Sequence, residues 1–596
     1  MSTERVMDEQ ARISAEILRN KFAAVIGDMR ATLVNTSYSS AISESKECAN
    51  ALYTEAGSLV AVDNAVHLCS LAATGADVLD DFQFDLTGED IIVTNDPYSG
   101  GTRIQDFTMI APLVHEDDIV LYLGVRARMP DVGGELLGGF NAKAGEIWAE
   151  GARFTPVKLY RDGRLQKDVL TTILLNSREP DALRLDLDAM LAALRVGRRR
   201  MSDIIGRYGI DAVQAAMQWA IDYAGRRVDA QIARWPEGEY TGSSVLAHDC
   251  HGRRDLHVRA TLRVRGGRVE IDLTESDPQS DRFVNCTAAT SQAYALLPIL
   301  AAMDESTPRN AGILDRVRVI TRQGTIVAAE FPAPTAWSLH HVGAEVADAV
   351  ASALATCLPE KAGNVAANLM LANTLERVVR HGGTIEQLGS RNLALLCQGG
   401  CGGAQGRDGW GMPGVFAETP LPSIELYEAG FPGTIARLEF ATDSGGPGQW
   451  RGGLGTETVI ELPKGPDQLC LTLCVEMRAR EGFAGGRPGS RNDARLFVAG
   501  EERPVDGCLA DVPLDGPAEL RLTMGGGPGW GPAWERDPER VVRDVLDGYV
   551  SVEAAARDYG VIVDPAGLRM DPEATREARR RRRAPAPAAV EARTKR

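Results

Sequence analysis

The chain has 596 residues, more than one small domain holds, so two or three domains are expected. Its net charge of −17 argues against a general binder of nucleic acid or of an anionic membrane, and its apolar fraction of 44% is ordinary for a globular protein. The opening MSTERVMDEQ lacks the basic-then-apolar pattern of a signal peptide, and no apolar run reaches the roughly 18 residues of a membrane span. Ten cysteines over this length do not make a disulfide framework, so a cytoplasmic location with reduced thiols is expected.

Residues 11–35 predict an amphipathic helix, with Ile13, Ile17, Phe22, Val25, Met29 and Leu33 on its apolar face. Ala51–Tyr53 and Leu59–Val62 flank Glu55-Ala56-Gly57 and predict a hairpin, after which comes His67 in AVHLCSL. A β-run from Ile91 stops at Asn95-Asp96-Pro97, followed by Gly100-Gly101, Arg103 and Asp106. Pro97 fixes its own φ and pushes Asp96 towards an extended conformation, while paired glycines permit backbone angles that other residues avoid. A shaped loop presenting Asp and Arg is a common way to build a site; an ordinary strand-turn is the alternative. Phe107–Val114 and Ile119–Val125 then pair around Glu116-Asp117-Asp118. The second of these runs through Arg126, Arg128 and Met129 to Pro130-Asp131 and Gly133-Gly134. Two strands of one region thus finish in an Asp and a double glycine, which strengthens the case for a site.

From Asp186 to Ile232 the pattern is helical, broken at Gly209, with Asp211 as the N-cap of the next helix. Arg234-Trp235-Pro236-Glu237-Gly238 ends the pattern and marks a domain boundary. Beyond it, Ala260, Leu262 and Val264 alternate, Gly266-Gly267 turns the chain, and Val269, Ile271 and Leu273 alternate again, a strong hairpin signal. Ala288–Met303 and Val342–Thr356 read as buried helices. From residue 398 glycine dominates, with short β-runs between, so tight turns and close backbone packing are expected. Asp537–Tyr559 is helical, and the tail RRRRRAPAPAAVEARTKR is expected to be solvated and partly disordered. The fold class is mixed α/β and multi-domain. Residues 1–235 form an N-terminal α/β domain, 236–536 a central and β-rich glycine-loop region, and 537–596 a helical segment with its tail.

No GxxxxGK[ST] motif occurs, nor a GxGxxG between strand and helix, so any ATP is expected on another chain. Cys397/Cys401 and Cys470/Cys474 resemble metal pairs loosely, and core packing is preferred for them. His248-Asp249-Cys250-His251, with His257 nearby, looks like a ligand cluster but lies in a polar loop. His340-His341 reads as a satisfied structural pair.

Taken together, several blocks resemble the hydantoinase B/5-oxoprolinase family, which includes the matching subunits of acetone and acetophenone carboxylases and of ATP-dependent hydantoinases. They are His67 in VHL, Asn95-Asp96-Pro97-Tyr98 with Gly100-Gly101-Thr102, Asp106, Arg126-Ala127, and Asp131 with Gly133-Gly134. Glu150-Gly151, Pro156–Leu159, Asn310-Ala311-Gly312, Arg407-Asp408-Gly409, Asp443–Gly448, Arg451–Gly455, Gly525-Gly526-Gly527 and Asp537–Val541 continue the match in order. The resemblance implies a subunit that works beside a larger hydantoinase A-like, ATP-binding subunit, with room for further small subunits. The partner phosphorylates a carbonyl or amide oxygen, and the activated small molecule is then hydrolysed or carboxylated.

The departures are as informative. The family pattern usually reads GGTHxxD, with a histidine pair after Arg-Ala, and these histidines with the Asp resemble ligands for a divalent metal. Here those positions hold Arg103 and Arg128-Met129. Arginine has no lone pair to donate, and methionine suits softer ions. Asp106, Asp131 and His67 remain as possible ligands, so whether a divalent metal binds is left open. Arg103, Arg126 and Arg128 are expected to make the site cationic, suited to phosphate, carboxylate or bicarbonate. The expected activity is therefore ATP-dependent carboxylation of a ketone, acetophenone carboxylase-like, with bicarbonate as co-substrate. Hydrolysis of a cyclic amide and a purely structural subunit are the alternatives. His67, Asp96, Asp106 and Asp131 are the candidate catalytic residues.

Overall fold

The computed structural model describes residues 9–82, 85–361, 372–381, 384–392, 399–411, 423–430, 433–462, 468–474, 479–505, 508–514 and 516–583. Cys397 and the tail beyond Arg583 lie outside them. Among the described residues no helix is long and apolar enough to cross a membrane. The architecture is mixed α/β, with several sheets in separate parts of the chain.

The first half runs α1 (Glu9–Thr36), α2 (Ser40–Ser43), β1 (Cys48–Thr54), β2 (Leu59–Val62), α3 (Leu68–Asp81), β3 (Ile91–Thr94), β4 (Asp106–His115), β5 (Asp118–Arg128), β6 (Val157–Arg161), β7 (Arg164–Leu165), α4 (Lys167–Leu175), α5 (Pro180–Tyr208) and α6 (Ile210–Ile232). The strands form one sheet in the order β2-β1-β5-β4-β3-β6-β7, antiparallel at every step. Side chains alternate across a strand, so each strand serves two layers. Phe107, Met109, Val125, Ala127 and Cys48 pack into one core with α1, α5 and α6. Ala49, Ala51, Tyr53, Ile110 and Tyr122 face the other.

The α1 face is turned relative to the sequence expectation. Ala15 and Leu18 are buried, whereas Ile13 and Ile17 are 56% and 44% exposed. Pro180 begins α5, where a missing N–H costs no helical hydrogen bond. Gly209, at φ +80°, links α5 to α6 and is itself the N-cap; Asp211, expected there, lies in the first turn, where its charge suits the helix dipole.

The second core is completed by β8 (Gly238–His248), β9 (Arg254–Arg265), β10 (Arg268–Asp272), α7 (Ala288–Ala302), α8 (Ala311–Leu314), β11 (Val317–Ile320) and α9 (Gly343–Cys357). Their sheet has the order β11-β10-β9-β8, with the β9–β10 turn at Gly266 (φ +55°) and Gly267 (φ +72°). Residues before and after Trp235 share this core.

The last third carries β12 (Ala372–His381), β13 (Thr384–Asn392), β14 (Thr434–Phe440), β15 (Thr456–Leu462), β16 (Gln468–Cys474), β17 (Asp493–Val498), β18 (Glu501–Arg503), β19 (Cys508–Leu514) and β20 (Ala518–Thr523). They make sheets in the orders β13-β12-β16-β19 and β14-β15-β20-β17-β18. The glycine-rich segments stack backbone on backbone. Gly400 N–H donates to Gly525 O (3.0 Å), Gly453 N–H to Cys401 O (2.7 Å), Gly527 N–H to Gly453 O (2.9 Å) and Gly446 N–H to Gly527 O (2.8 Å). The buried Arg536 guanidinium ties this layer to the C-terminal helix Pro538–Leu546, bonding Asp408 (2.6 Å) and Asp544 (2.8 Å).

Candidate functional site

The loop after β3 is braced from within. Asn95 donates to Ile104 O (2.8 Å) and Ala152 O (2.9 Å) and accepts from Phe154 N–H (2.6 Å). Asp96 accepts from Tyr98 N–H (2.9 Å) and pairs with Arg153 (3.2 Å). A Cβ on Gly100 or Gly101 would run into the backbone of Ala73-Thr74 or of Asp96-Pro97. A cleft of about 370 Å³ adjoins this loop, lined among others by Pro97, Tyr98, Gly100, Thr287, Gln292 and Phe331. Thr287, the N-cap of α7, donates its hydroxyl to Gly101 O (3.1 Å).

The loop's other end feeds a buried ionic cluster, and the strand register explains its composition. Asp106 lies opposite Arg128, and Thr108 opposite Arg126, across β4 and β5. These four residues therefore share the face that Ala49, Ala51 and Tyr53 also use. β1 pairs with β5 so that Cys48 faces Ala127, which sets Glu47 beside Arg128. Arg128 Nη1 bonds Glu47 Oε1 at 2.9 Å, and Arg103 Nη2 bonds Glu47 Oε2 at 2.6 Å. Arg103 Nε reaches both oxygens of Asp106, at 3.0 and 3.1 Å, and the Thr102 hydroxyl also donates to Asp106. Arg126 bonds three hydroxyls, those of Thr108 (2.7 Å), Ser70 (2.6 Å) and Thr74 (2.8 Å). Arg103 and Arg126 are 2% and 1% exposed.

The electrostatics follow from this packing. Burial alone would raise the Glu47 carboxyl, but Arg128 and Arg103 together hold it down at about 2. Asp106 is likewise held below the usual range against burial, chiefly by Arg103. His67 is pushed down to about 3 by burial and then by Arg126, so its imidazole is neutral. His340 is also pushed to about 3, by burial and then by Arg103.

Several expectations change here. Arg103 and Arg128 are not open cations: Glu47 and Asp106 match their charge within the cluster. Asp131, 0% exposed, is taken by Arg178, with Nη2 at 2.7 Å and the Arg178 backbone N–H at 2.7 Å. Asp96 is occupied by its own loop and Arg153. The contacts of Asp96 and Asp131 thus lie outside the Arg103 cluster, whereas Asp106 lies within it and His67 is under its charge. His340 and His341 are not a satisfied pair. Neither ring nitrogen of either has a hydrogen-bond partner among the described residues. They sit among Phe140, Phe283 and Trp337, and Arg128 covers the Phe140 ring at 4.7 Å while His340 lies 5.4 Å from the same ring. His67 Nδ1, both Gln105 side-chain atoms, Arg103 Nη1 and Arg128 Nε are also buried without a partner. So many unpartnered polar atoms in one region mark a place that water or a ligand completes. Sequence reasoning missed Glu47, which only the β1–β5 register brings in.

The His248–His251 loop serves structure instead. Asp249 accepts from the backbone N–H of His251 (2.8 Å) and Arg253 (3.0 Å), and His251 Nε2 contacts Ala142 O at 2.7 Å. Cys250 is disulfide-bonded, against the expectation of reduced thiols throughout, while Cys48, Cys69, Cys286, Cys357 and Cys401 are free and buried.

The neutral histidines predict acid sensitivity. His67, His340 and His341 all titrate near 3 in the folded chain, against an ordinary value of 6.5. Between those values the unfolded chain takes up protons that the folded chain refuses, so stability is present above about pH 6.5 and falls as pH drops. Each histidine is expected to cost about 2 kcal/mol by pH 5. Unfolding midpoints at pH 7.5 and 5.0 check this; equal midpoints would contradict it.

The braced loop, the buried cluster and the stacked glycine layer together place the chain in a known class. It belongs to the hydantoinase B/oxoprolinase family, whose model matches residues 11–533. It is similar to the beta chain of the caprolactamase of Pseudomonas jessenii, 30% identical over 94% of this chain and 98% of that one. It is similar too to the B component of a putative D-/L-hydantoinase of Pseudomonas sp. (strain NS671), 28% identical over 95% and 98%. The acetophenone carboxylase delta subunit of Aromatoleum aromaticum is 24% identical over 85% and 81%. Among solved structures, that of the ATP-dependent caprolactamase from P. jessenii matches with a TM-score of 0.85 and 28% identity, over 97% of this chain and all of the other. The nucleotide-free acetone carboxylase structure shares the fold, with a TM-score of 0.84 at 18% identity, over 96% and 83%.

Proposed function

We propose that this chain is the hydantoinase B-type subunit of an ATP-dependent complex that opens a cyclic amide. The observation that carries the reading is the pairing of neutral imidazoles, His67 and His340, with buried guanidiniums that keep unpartnered N–H groups. Similarity along nearly the full length to caprolactamase and hydantoinase subunits supports it. In this reading a hydantoinase A-type partner binds ATP and transfers its terminal phosphoryl group to the amide oxygen. A neutral imidazole then takes a proton from water as the water oxygen bonds to the amide carbon. The C–N bond breaks, the ring nitrogen takes up a proton, and the resulting acyl phosphate is opened by a second water. The products are the open-chain amino acid, ADP and phosphate. Arg103 Nη1 and Arg128 Nε are the donors available to the reacting oxygen.

The matched charge of Arg103 and Arg128 weakens the case for a bicarbonate pocket. Ketone carboxylation is nonetheless the second reading, favoured by Arg126, whose guanidinium meets hydroxyls only and leaves three arginines facing two carboxylates. The purified complex with its partner is expected to couple ADP release to ring opening of caprolactam, a hydantoin or 5-oxoproline, without bicarbonate. ADP release that needs bicarbonate and an aryl ketone would replace the first reading with the second. Unchanged turnover in a His67→Ala, His340→Ala complex would instead assign the chain a structural role.

A further inference from the structure

The resemblance implies a divalent metal among histidines, at positions held here by Arg103, Arg128 and Met129. The residues present do not fit such an ion. Both oxygens of Glu47 receive guanidinium N–H groups, Oε1 from Arg128 and Oε2 from Arg103. Both oxygens of Asp106 receive Arg103 Nε, and one also receives the Thr102 hydroxyl. Met129 is fully buried in the opposite core, with α1 and α5, so its thioether faces away from the cluster. Among the described residues no group of three or more His, Cys, Asp or Glu side chains could hold a metal ion. Arginine itself offers no lone pair. An ion entering between Glu47 and Asp106 would meet two guanidiniums with no other carboxylate to pair with, and unpairing buried charges is strongly unfavourable.

We infer that the Arg103–Arg128 guanidinium pair, bridged by Glu47 and anchored by Asp106, stands in the place of the family's metal ion, so that this chain holds no divalent cation there. The exchange has a chemical consequence. A metal lowers the pKa of a bound water; a guanidinium donates hydrogen bonds to an oxygen but does not ionise water. Positive charge and water activation are thereby separated, the first resting on the arginines and the second on the neutral imidazoles. The inference concerns ligation only and stands whichever bond the complex breaks.

The test uses the complex of this chain with its partner subunit. Crystals soaked in Zn²⁺ or Mn²⁺ are examined by anomalous diffraction at the metal edge, which locates ions and so separates any held by the partner. No peak is expected within coordination distance of Asp106 or Glu47; a peak there overturns the inference. In a second arm, Arg103→His with Arg128→His is loaded with Zn²⁺ and the metal counted. A gain of about one ion per chain over the unaltered complex is expected if the arginines occupy the metal's place. A correctly assembled variant with no gain overturns that assignment. Both readouts are independent of turnover.

Discussion

Arg103→Ala is expected to destabilise the chain by about 3–5 kcal/mol and to leave the assembled complex without measurable turnover. Arg103 is the hub of the buried cluster, bonding Glu47 through Nη2 and Asp106 through Nε. Its removal leaves Asp106 buried with no guanidinium partner and Glu47 with Arg128 alone. Replacing one partner of a buried pair costs far more than the pair is worth, because the remaining charge has lost its water and its counter-ion. The two losses can be told apart. Arg103→Lys keeps a positive charge but not the planar fork that spans two carboxylates, so it should recover part of the stability and little of the activity. Chemical denaturation of the variants, beside ADP release by the complex, reads both quantities. An Arg103→Ala chain as stable as the parent would mean that the cluster is not a structural unit.

Gly527→Ala is expected to be the most damaging single methyl group in the chain, at about 3 kcal/mol or more, above the common range for overpacking. A Cβ there would fall on the Cys401 carbonyl, and the obstacle is backbone, which cannot rotate aside. The same residue donates to Gly453 O and accepts from Gly446 N–H, so any shift to relieve the clash breaks the layer's hydrogen bonds. Gly206→Ala is the control. Gly206 lies inside α5, and a methyl group on it would meet nothing within 4 Å, so alanine there should stabilise by up to about 1 kcal/mol through helix propensity. Thermal unfolding of the two variants should move in opposite directions.

Much of the first sheet was legible in the sequence, because its signals are local. The alternation in 118–128 and the stop at Asn95-Asp96-Pro97 correspond to β5 and to the end of β3. The Gly266-Gly267 turn likewise joins the strands that flank it. The candidate site was only half legible. Asp96, Asp106 and Asp131 look alike in the sequence, each beside glycines at a strand end, and only partners distant along the chain separate them: Arg153 for the first, Arg178 for the third. Glu47 meets Arg128 across 81 residues by a strand register that no local pattern announces. His340 looked like core because its neighbours are Trp337 and Leu339; the lack of any partner for its ring nitrogens is a fact of three-dimensional packing. The exposed Ile13 and Ile17 show the same limit, since helical spacing gives a face but not its exact rotation.

The alternation of charge in the cluster has a consequence for reach. Two guanidiniums interleaved with two carboxylates within contact distance have almost no net charge when viewed from afar, so their fields largely cancel beyond a few ångströms. Solvent ions screen what remains over about 8 Å. A small molecule approaching this subunit therefore senses the acidic exterior of a chain carrying −17, not the arginines within. The cluster cannot draw an anion in from solution. It discriminates only after arrival, by the directions in which its spare N–H groups point, and this suits an uncharged ring better than a free anion.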